Sequence, residues 1–441
     1  MRETENSILL QKMIAEYNAE KPTYQLMKNY YDGKHLIYND DVFKIRQDMG
    51  DMAIHINWIS KFIGEEIAYA LNKPVSYASK SGNVKLEKAI SAAIEHFDLN
   101  HDQKIMRELE IYGKCFILYY FDKYGRLSER ILNPTNAIAY VDEDGNIIRF
   151  IYFYKKKYHS GEYRNVYYED GTIEVYKDNL LLEDKTEKHP FQCMPVSVCE
   201  IEDAETIYTK IKSLNDAYNE LVSNQQCLIS EFKNAYITMC DNGVSSDSTK
   251  EMVKAVKDKD AGIIFYPFKD AKPEWLIKNI NDAAIKNQLA EIKENLYAQS
   301  GHIDFNEKLS SNISGVALQS RLTGLDQRVN MVLNPVLNVL YERVRFICMY
   351  LLIQKNAQYD FTDIKISANI DIPMDVAGRI NEVNQLGDIV SHQTKLERLP
   401  FIENPQIELE RIKKEKATSQ AINLDVVNSA FYGSGGGGST E

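Results

Sequence analysis

Over residues 203–240, apolar side chains recur at Ile207, Ile211, Leu214, Tyr218, Leu221, Leu228 and Phe232, the three-and-four spacing that lines one face of an α-helix. A helix over that whole stretch would span on the order of 50 Å at 1.5 Å per residue, well beyond the globular norm. One compact domain cannot bury such a stripe, so the chain is expected to fold around an extended helix that finds partners beyond its own core. The spacing predicts a second helix over 282–298, returning beside the first. Between them, 241–278 reads as a small insertion with a charged helical piece and the strand-like Gly262-Ile263-Ile264-Phe265-Tyr266. Glu200, Glu202 and Asp203 fall at the predicted start of the first helix, where negative charge suits the helix dipole.

The flanking segments read differently. Residues 4–97 are mainly helical in pattern, with Tyr30-Tyr31-Asp32-Gly33 as a turn and Asn72-Lys73-Pro74 ending a helix that begins near Asn57. From Lys114 the chain turns to short runs rich in β-branched and aromatic residues: Cys115 to Tyr120, Ile147 to Tyr154 and Thr172 to Tyr176. Turn signals at Asp122-Lys123-Tyr124-Gly125, Asp144-Gly145 and Asp170-Gly171 predict an antiparallel sheet. After the second helix comes a polar stretch, Gly301 to Asn312, and then a long helix over 314–352. Pro335 should kink that helix, since it lacks an N–H and its ring crowds the preceding turn. A strand over 363–370 and charged helices over 374–421 close the pattern, an α+β chain. The tail Gly433-Ser434-Gly435-Gly436-Gly437-Gly438-Ser439 has the composition of a flexible linker.

Chemistry is sparse in the sequence. A formal net charge of −12 provides no global positive field to hold nucleic acid tightly. No His-Glu-x-x-His, Cys-x-x-Cys, phosphate-cradling Gly-rich loop or Gly-x-Ser-x-Gly turn is present, so the reading assigns no catalytic residue, no metal ligand and no cofactor. Asp142-Glu143-Asp144 runs into Gly145 and reads as a solvated hairpin turn. Lys155-Lys156-Lys157 reads as a solvated strand end. In the insertion Lys250, Lys254, Lys257 and Lys259 alternate with Glu251, Asp258 and Asp260, a mixed surface that suits a protein partner better than a polyanion. The scattered cysteines read as free thiols. The charged first residues are unlike a secretory signal, and no apolar run is long enough to span a membrane.

The order of parts resembles the portal proteins of long-tailed phages infecting Gram-positive hosts. The resemblance rests on Tyr30-Tyr31-Asp32-Gly33-Lys34-His35, on Asn72-Lys73-Pro74-Val75, on Ile111-Tyr112-Gly113-Lys114 and most of all on Ser213-Leu214-Asn215-Asp216-Ala217-Tyr218-Asn219. Ser314-Gly315-Val316-Ala317-Leu318, Val390-Ser391-His392-Gln393-Thr394 and Glu408-x-x-Arg411-Ile412-x-x-Glu415 extend it toward the C-terminus. It implies a wing over residues 1–202, a first stem helix over 203–240, a clip over 241–279 and a second stem helix over 280–300. A tunnel loop over 301–313, the long kinked wing helix over 314–354, a wing strand over 355–373, crown helices over 374–432 and the tail 433–441 complete it.

The same resemblance implies DNA-facing residues Asp304, Phe305, Asn306, Glu307, Lys308, Leu309, Ser310, Ser311 and Asn312, and clip contacts from Lys250, Lys254, Lys257, Lys259, Phe265 and Tyr266. It implies a dodecameric ring at a capsid vertex of the virion, built in the host cytoplasm, with double-stranded DNA sliding through without base readout. Implied partners are further copies of the chain, the terminase large subunit that powers packaging, a head-completion adaptor, and the major capsid and scaffold proteins. The alternatives are a scaffold or baseplate protein of another assembly, and a DNA-processing enzyme, which would need a metal site that local spacing does not assemble.

Overall fold

The structure is a computed structural model that describes residues 2–36, 54–232, 236–240, 263–266, 274–276, 282–304, 315–368, 376–399, 402, 408–409 and 411–416. The chain divides into two compact units, one of Met1–Asn312 with Ser320–Ile370, the other of Ile313–Gln319 with Asp371–Glu441.

The first unit opens with α1 (Arg2–Tyr31), then α2 (Trp58–Leu71), α3 (Val84–Ile94) and α4 (His101–Tyr112). Their starts follow side-chain chemistry. Asn57 Oδ1 accepts the Ser60 N–H at 3.0 Å and Asn83 Oδ1 accepts the Leu86 N–H at 3.2 Å, so an asparagine caps α2 and another caps α3. Between α2 and α3 lies β1 (Ser76–Ser79), a strand the sequence pattern does not announce.

The expected antiparallel region is present as two sheets. Strands β2 (Lys114–Phe121), β3 (Leu127–Leu132) and β10 (Val196–Glu200) form one, in the order β10-β2-β3. Strands β4 (Ala137–Val141), β5 (Ile147–Tyr154), β6 (Tyr163–Tyr168), β7 (Thr172–Lys177) and β8 (Leu180–Leu181) form the other in chain order, with β9 (Glu187–Lys188) also on β7. The hairpin turns are built as expected: Asp142 Oδ1 accepts the N–H groups of Asp144 at 3.0 Å and Asn146 at 2.7 Å, which makes the acidic cluster a turn.

The strand period of two decides what each face meets. Phe150 joins Ala137, Tyr167 and Ile173 against Phe116, Leu118, Leu132 and Val196 of the smaller sheet, while its neighbour Ile151 turns with Ile138 and Val166 to Met13 and Tyr17 of α1. The larger sheet is thus covered on both sides. Strand β2 is buried through its centre because its second face is also covered, with Tyr119 stacked on Phe346 of α7 (Gly315–Lys355) at 4.0 Å between ring centres.

The long helix, α5 (Ile207–Phe232), is shorter than its pattern. Its start is Thr206, whose Oγ1 accepts the Thr209 N–H at 3.2 Å, and not the acidic residues upstream; Asp203 and Ala204 have φ of 56° and 51°, which no helix continues through. At the other end Tyr236-Ile237-Thr238-Met239-Cys240 is strand β11 (Tyr236–Cys240), because aromatic and β-branched residues prefer a pleated sheet. It pairs in parallel with β12 (Ile263–Tyr266) and antiparallel with β13 (Glu274–Leu276). Helix α6 (Asp282–Ser300) packs along α5. Helix α7 continues through Pro335, and the unit closes when β14 (Ile364–Ser367) pairs antiparallel with β1.

The second unit contains α8 (Val376–Gln385) and α9 (His392–Glu397), the latter capped by Ser391, whose Oγ accepts the Thr394 N–H at 3.2 Å. No described helix is long and apolar enough to cross a membrane.

Candidate functional site

Of the nine residues expected to face DNA, Asp304 is described and Phe305, Asn306, Glu307, Lys308, Leu309, Ser310, Ser311 and Asn312 lie outside the described residues. Asp304 is held back against α6: Lys293 Nζ lies 2.5 Å from its Oδ2, and Tyr297 Oη donates to its Oδ1 at 3.4 Å. Its own hydrogen bond to Asp304 raises the Lys293 ammonium above its ordinary value, and burial, followed by the nearby Asp304 charge, pushes the Tyr297 phenol to about 12.

The residues just before Asp304 are packed into the protein. Gly301 has φ +75° and a Cβ there would come 3.1 Å from the Gly324 carbonyl oxygen, so this residue lies backbone to backbone on α7. His302 is buried, its ring stacked on Phe62 at 4.3 Å, with Nδ1 3.1 Å from the Ser300 carbonyl and Nε2 3.2 Å from the Phe62 carbonyl. Burial outweighs both carbonyls and lowers its pKa to about 4, so the imidazole is neutral and donates to one carbonyl at a time.

Two of the motifs, Tyr30–His35 and Ser213–Asn219, meet in one cluster. Along α5, Asn215, Asn219 and Ser223 fall on one face and take the backbone of the extended segment before α2: Asn215 Oδ1 accepts from Trp58 N at 3.0 Å, Asn219 Oδ1 from Ile56 N at 2.9 Å and Ser223 Oγ from Ile54 N at 3.0 Å. His35 Nδ1 lies 3.0 Å from Asn219 Nδ2 and 3.3 Å from Asn215 Nδ2. Tyr30 Oη and Lys212 Nζ both donate to Asp216 Oδ2, at 2.9 and 2.8 Å. Trp58 completes the joint edge-on between Tyr218 of α5 and Tyr297 of α6, each 5.6 Å away. These residues fasten the start of the helix pair to the N-terminal helices.

Two arginines that the sequence reading passed over are buried in α7. Arg343 makes a two-pronged pair with Glu129, Nε to Oε1 at 2.7 Å and Nη2 to Oε2 at 2.9 Å, and its Nη1 reaches Asp102 Oδ1 at 2.7 Å and Tyr77 Oη at 3.0 Å. Arg328 reaches Glu66 and Glu110. A signal for Arg343 exists in the sequence: it occupies a three-and-four step in the stripe Val336, Leu340, Ile347 and Leu351, where a charge has no business unless it is paired.

The expected clip lysines Lys250, Lys254, Lys257 and Lys259 lie outside the described residues, while Phe265 and Tyr266 sit in β12 opposite Met239 and Cys240. Lys155, just past β5, pairs with Glu162 at 2.8 Å, and Lys156 lies over the Tyr163 ring at 4.6 Å, so the basic run is an exposed strand end with its own partners. Among the described residues no His, Cys, Asp and Glu group is placed to hold a metal ion. The described thiols, Cys115, Cys193, Cys199 and Cys348, are free.

Comparison with known proteins assigns the family. The chain belongs to the family described as "Phage portal protein, SPP1 Gp6-like", which matches residues 10–421, nearly its whole length. This is a family of structural components of the virion rather than of enzymes. Among solved structures, the chain is similar to one in the virion of a native gene transfer agent particle, at 10% identity and a TM-score of 0.47, covering 78% of this chain and 89% of that one. It is also similar to a chain in the neck of an empty gene transfer agent particle, at 8% identity and a TM-score of 0.42, covering 77% and 88%. No curated protein matches the chain.

Proposed function

We propose that the chain is one subunit of a closed ring at a capsid vertex, through which double-stranded DNA is packaged and later ejected without base-specific contacts. Family membership over residues 10–421 carries this reading. The α5–α6 pair supports it physically, since Leu214, Tyr218, Leu221, Ile285, Leu289 and Ile292 are only half-buried within one chain and the same pair of a neighbouring copy would cover them. In this reading residues 1–202 are the wing, and α5 and α6 the stem. Strands β11, β12 and β13 belong to the clip, with Phe265 and Tyr266 near the surface that meets the terminase large subunit and then the adaptor. Residues 301–313 are the tunnel loop, α7 and β14 return to the wing, and 374–432 form the crown.

Asp304 takes a particular role here. Held by Lys293 and Tyr297, it anchors the loop rather than touching DNA, and the contacts to DNA fall to residues 306–312. Twelve copies forming a ring, capsid and scaffold contacts through the wing, and assembly in the host cytoplasm complete the reading. The test is genetic: without this chain a producing cell should accumulate capsids lacking DNA, and supplying it in trans should restore filled particles. DNA-filled infectious particles made in its absence would overturn the proposal.

A further inference from the structure

Helix α2 contributes Glu66, α4 contributes Glu110 and α7 contributes Arg328, and all three side chains are buried. One cation therefore faces two carboxyl groups out of reach of screening by water. Arg328 Nε lies 3.4 Å from Glu66 Oε1, Nη2 donates to Glu110 Oε2 at 2.9 Å, and Nη1 donates to the Glu205 carbonyl at 2.7 Å. These contacts occupy one oxygen of each carboxyl. The other two, Glu66 Oε2 and Glu110 Oε1, are buried and accept no hydrogen bond from any described group.

Two ionised carboxylates have no hydrogen to offer each other, whereas a protonated carboxyl does. Among the described residues the surrounding charges provide no second cation. Glu65 is engaged by Lys61 Nζ at 2.7 Å, and Glu205, facing Arg328 from the turn before α5, pairs with Lys210 at 2.9 Å. His302 Nε2 lies 3.7 Å from Glu66 Oε1 and 4.0 Å from Glu65 Oε2, but its imidazole is neutral.

We propose that Glu66 and Glu110 hold one proton between them at neutral pH, a carboxyl–carboxylate pair whose single negative charge Arg328 balances. Glu66 is its principal holder: burial, followed by the Glu110 charge, pushes the Glu66 carboxyl well above the usual range against the pull of Arg328. The pair lies at the seam where α2, α4 and α7 meet, and the same seam carries the loop root, through His302 on Phe62 and Gly301 on Gly324. The proton thus loads the joint that fixes where the 301–304 segment starts. A carboxyl with a raised folded-state value contributes stability that is complete below the ordinary carboxyl range and is lost as pH rises through that folded value. Alkaline pH should loosen the seam.

Infrared spectroscopy of the full chain, with and without carbon-13 glutamate, tests this together with hydrogen exchange at His302, whose N–H donates to the Tyr297 carbonyl at 3.1 Å. The wild type should show a protonated-carboxyl band at neutral pH that shifts with the label. Glu66→Gln and Glu110→Gln should each abolish it, because the remaining carboxylate ionises against Arg328. Exchange at His302, corrected for its intrinsic rate, should rise at least tenfold between neutral and alkaline pH in the wild type and stay flat in either glutamine variant. No band in the wild type, or a band that survives in both variants, overturns the proposal. If one variant fails to fold, the labelled wild-type spectrum and the other variant still decide.

Discussion

Tyr30 and Asp216, far apart in the chain, are joined by a 2.9 Å hydrogen bond from the phenol to Oδ2, and through it the end of α1 is fastened to the first turns of α5. Burial, followed by that bond, raises the Tyr30 phenol above its ordinary value, so it stays a donor at any physiological pH. The two most telling motifs of the sequence are therefore one structural joint. Tyr30→Phe removes a donor to a charged acceptor and should cost about 1–2 kcal/mol. Asn215→Ala, which orphans the buried Trp58 N–H, should cost about 1–3 kcal/mol. Denaturant unfolding measures both; changes under about 0.5 kcal/mol would mean that the joint is not holding the helix pair.

Arg343 is a harsher test of the packing around α7. It is 2% exposed and faces Glu129 and Asp102, so Arg343→Met leaves two carboxylates without their cation and should destabilise by about 3–5 kcal/mol. Arg343→Lys should recover little, since an ammonium cannot make the two parallel bonds to Glu129. Thermal unfolding would report both, and full rescue by lysine would refute the two-pronged geometry.

His302 sets an acid limit. Its pKa is lowered to about 4 in the folded state from the ordinary 6.5, so the unfolded chain takes up a proton first as pH falls. Stability contributed by the neutral imidazole is intact above about 6.5 and is lost as pH drops toward about 4, amounting to about 3 kcal/mol for this one group. His302→Gln should flatten that part of the stability curve. An unchanged slope in the variant would show that other groups carry the acid sensitivity.

Two glycines should answer oppositely to alanine. Gly113 ends α4 at φ +78°, and a Cβ there would sit 3.3 Å from Thr206 Cγ2, so Gly113→Ala should cost at least about 1 kcal/mol. Gly64 lies inside α2 with nothing within 4 Å of a Cβ, and Gly64→Ala should gain up to about 1 kcal/mol in helix propensity. Equal effects of the two substitutions in chemical denaturation would contradict the local geometry.

What the sequence made legible follows its local physics. Strand β5 ends where its β-branched and aromatic run ends, and Asp142 makes the turn that its spacing to Gly145 announces. Strand β1 was not legible: Ser76-Tyr77-Ala78-Ser79 is short and mildly polar, and its partner Ile364–Ser367 is nearly three hundred residues away. The end of α5 was misread because Tyr236-Ile237-Thr238 continues an apolar pattern while its residue types change preference from helix to sheet. The Glu66, Glu110 and Arg328 cluster was hidden for another reason. Charged residues on helices usually face water, and only tertiary packing turns these three inward. Residues 301–312 read as a polar stretch, and Asp304 within it is pinned by Lys293, a partner that the local composition does not reveal.

The central claim is the ring, and imaging the purified full chain by electron microscopy tests it most directly. The account predicts closed rings with an open central channel wide enough for duplex DNA, their walls built of α5 and α6 from successive copies. A compact monomer under every assembly condition, with no ring at any protein concentration, would contradict it.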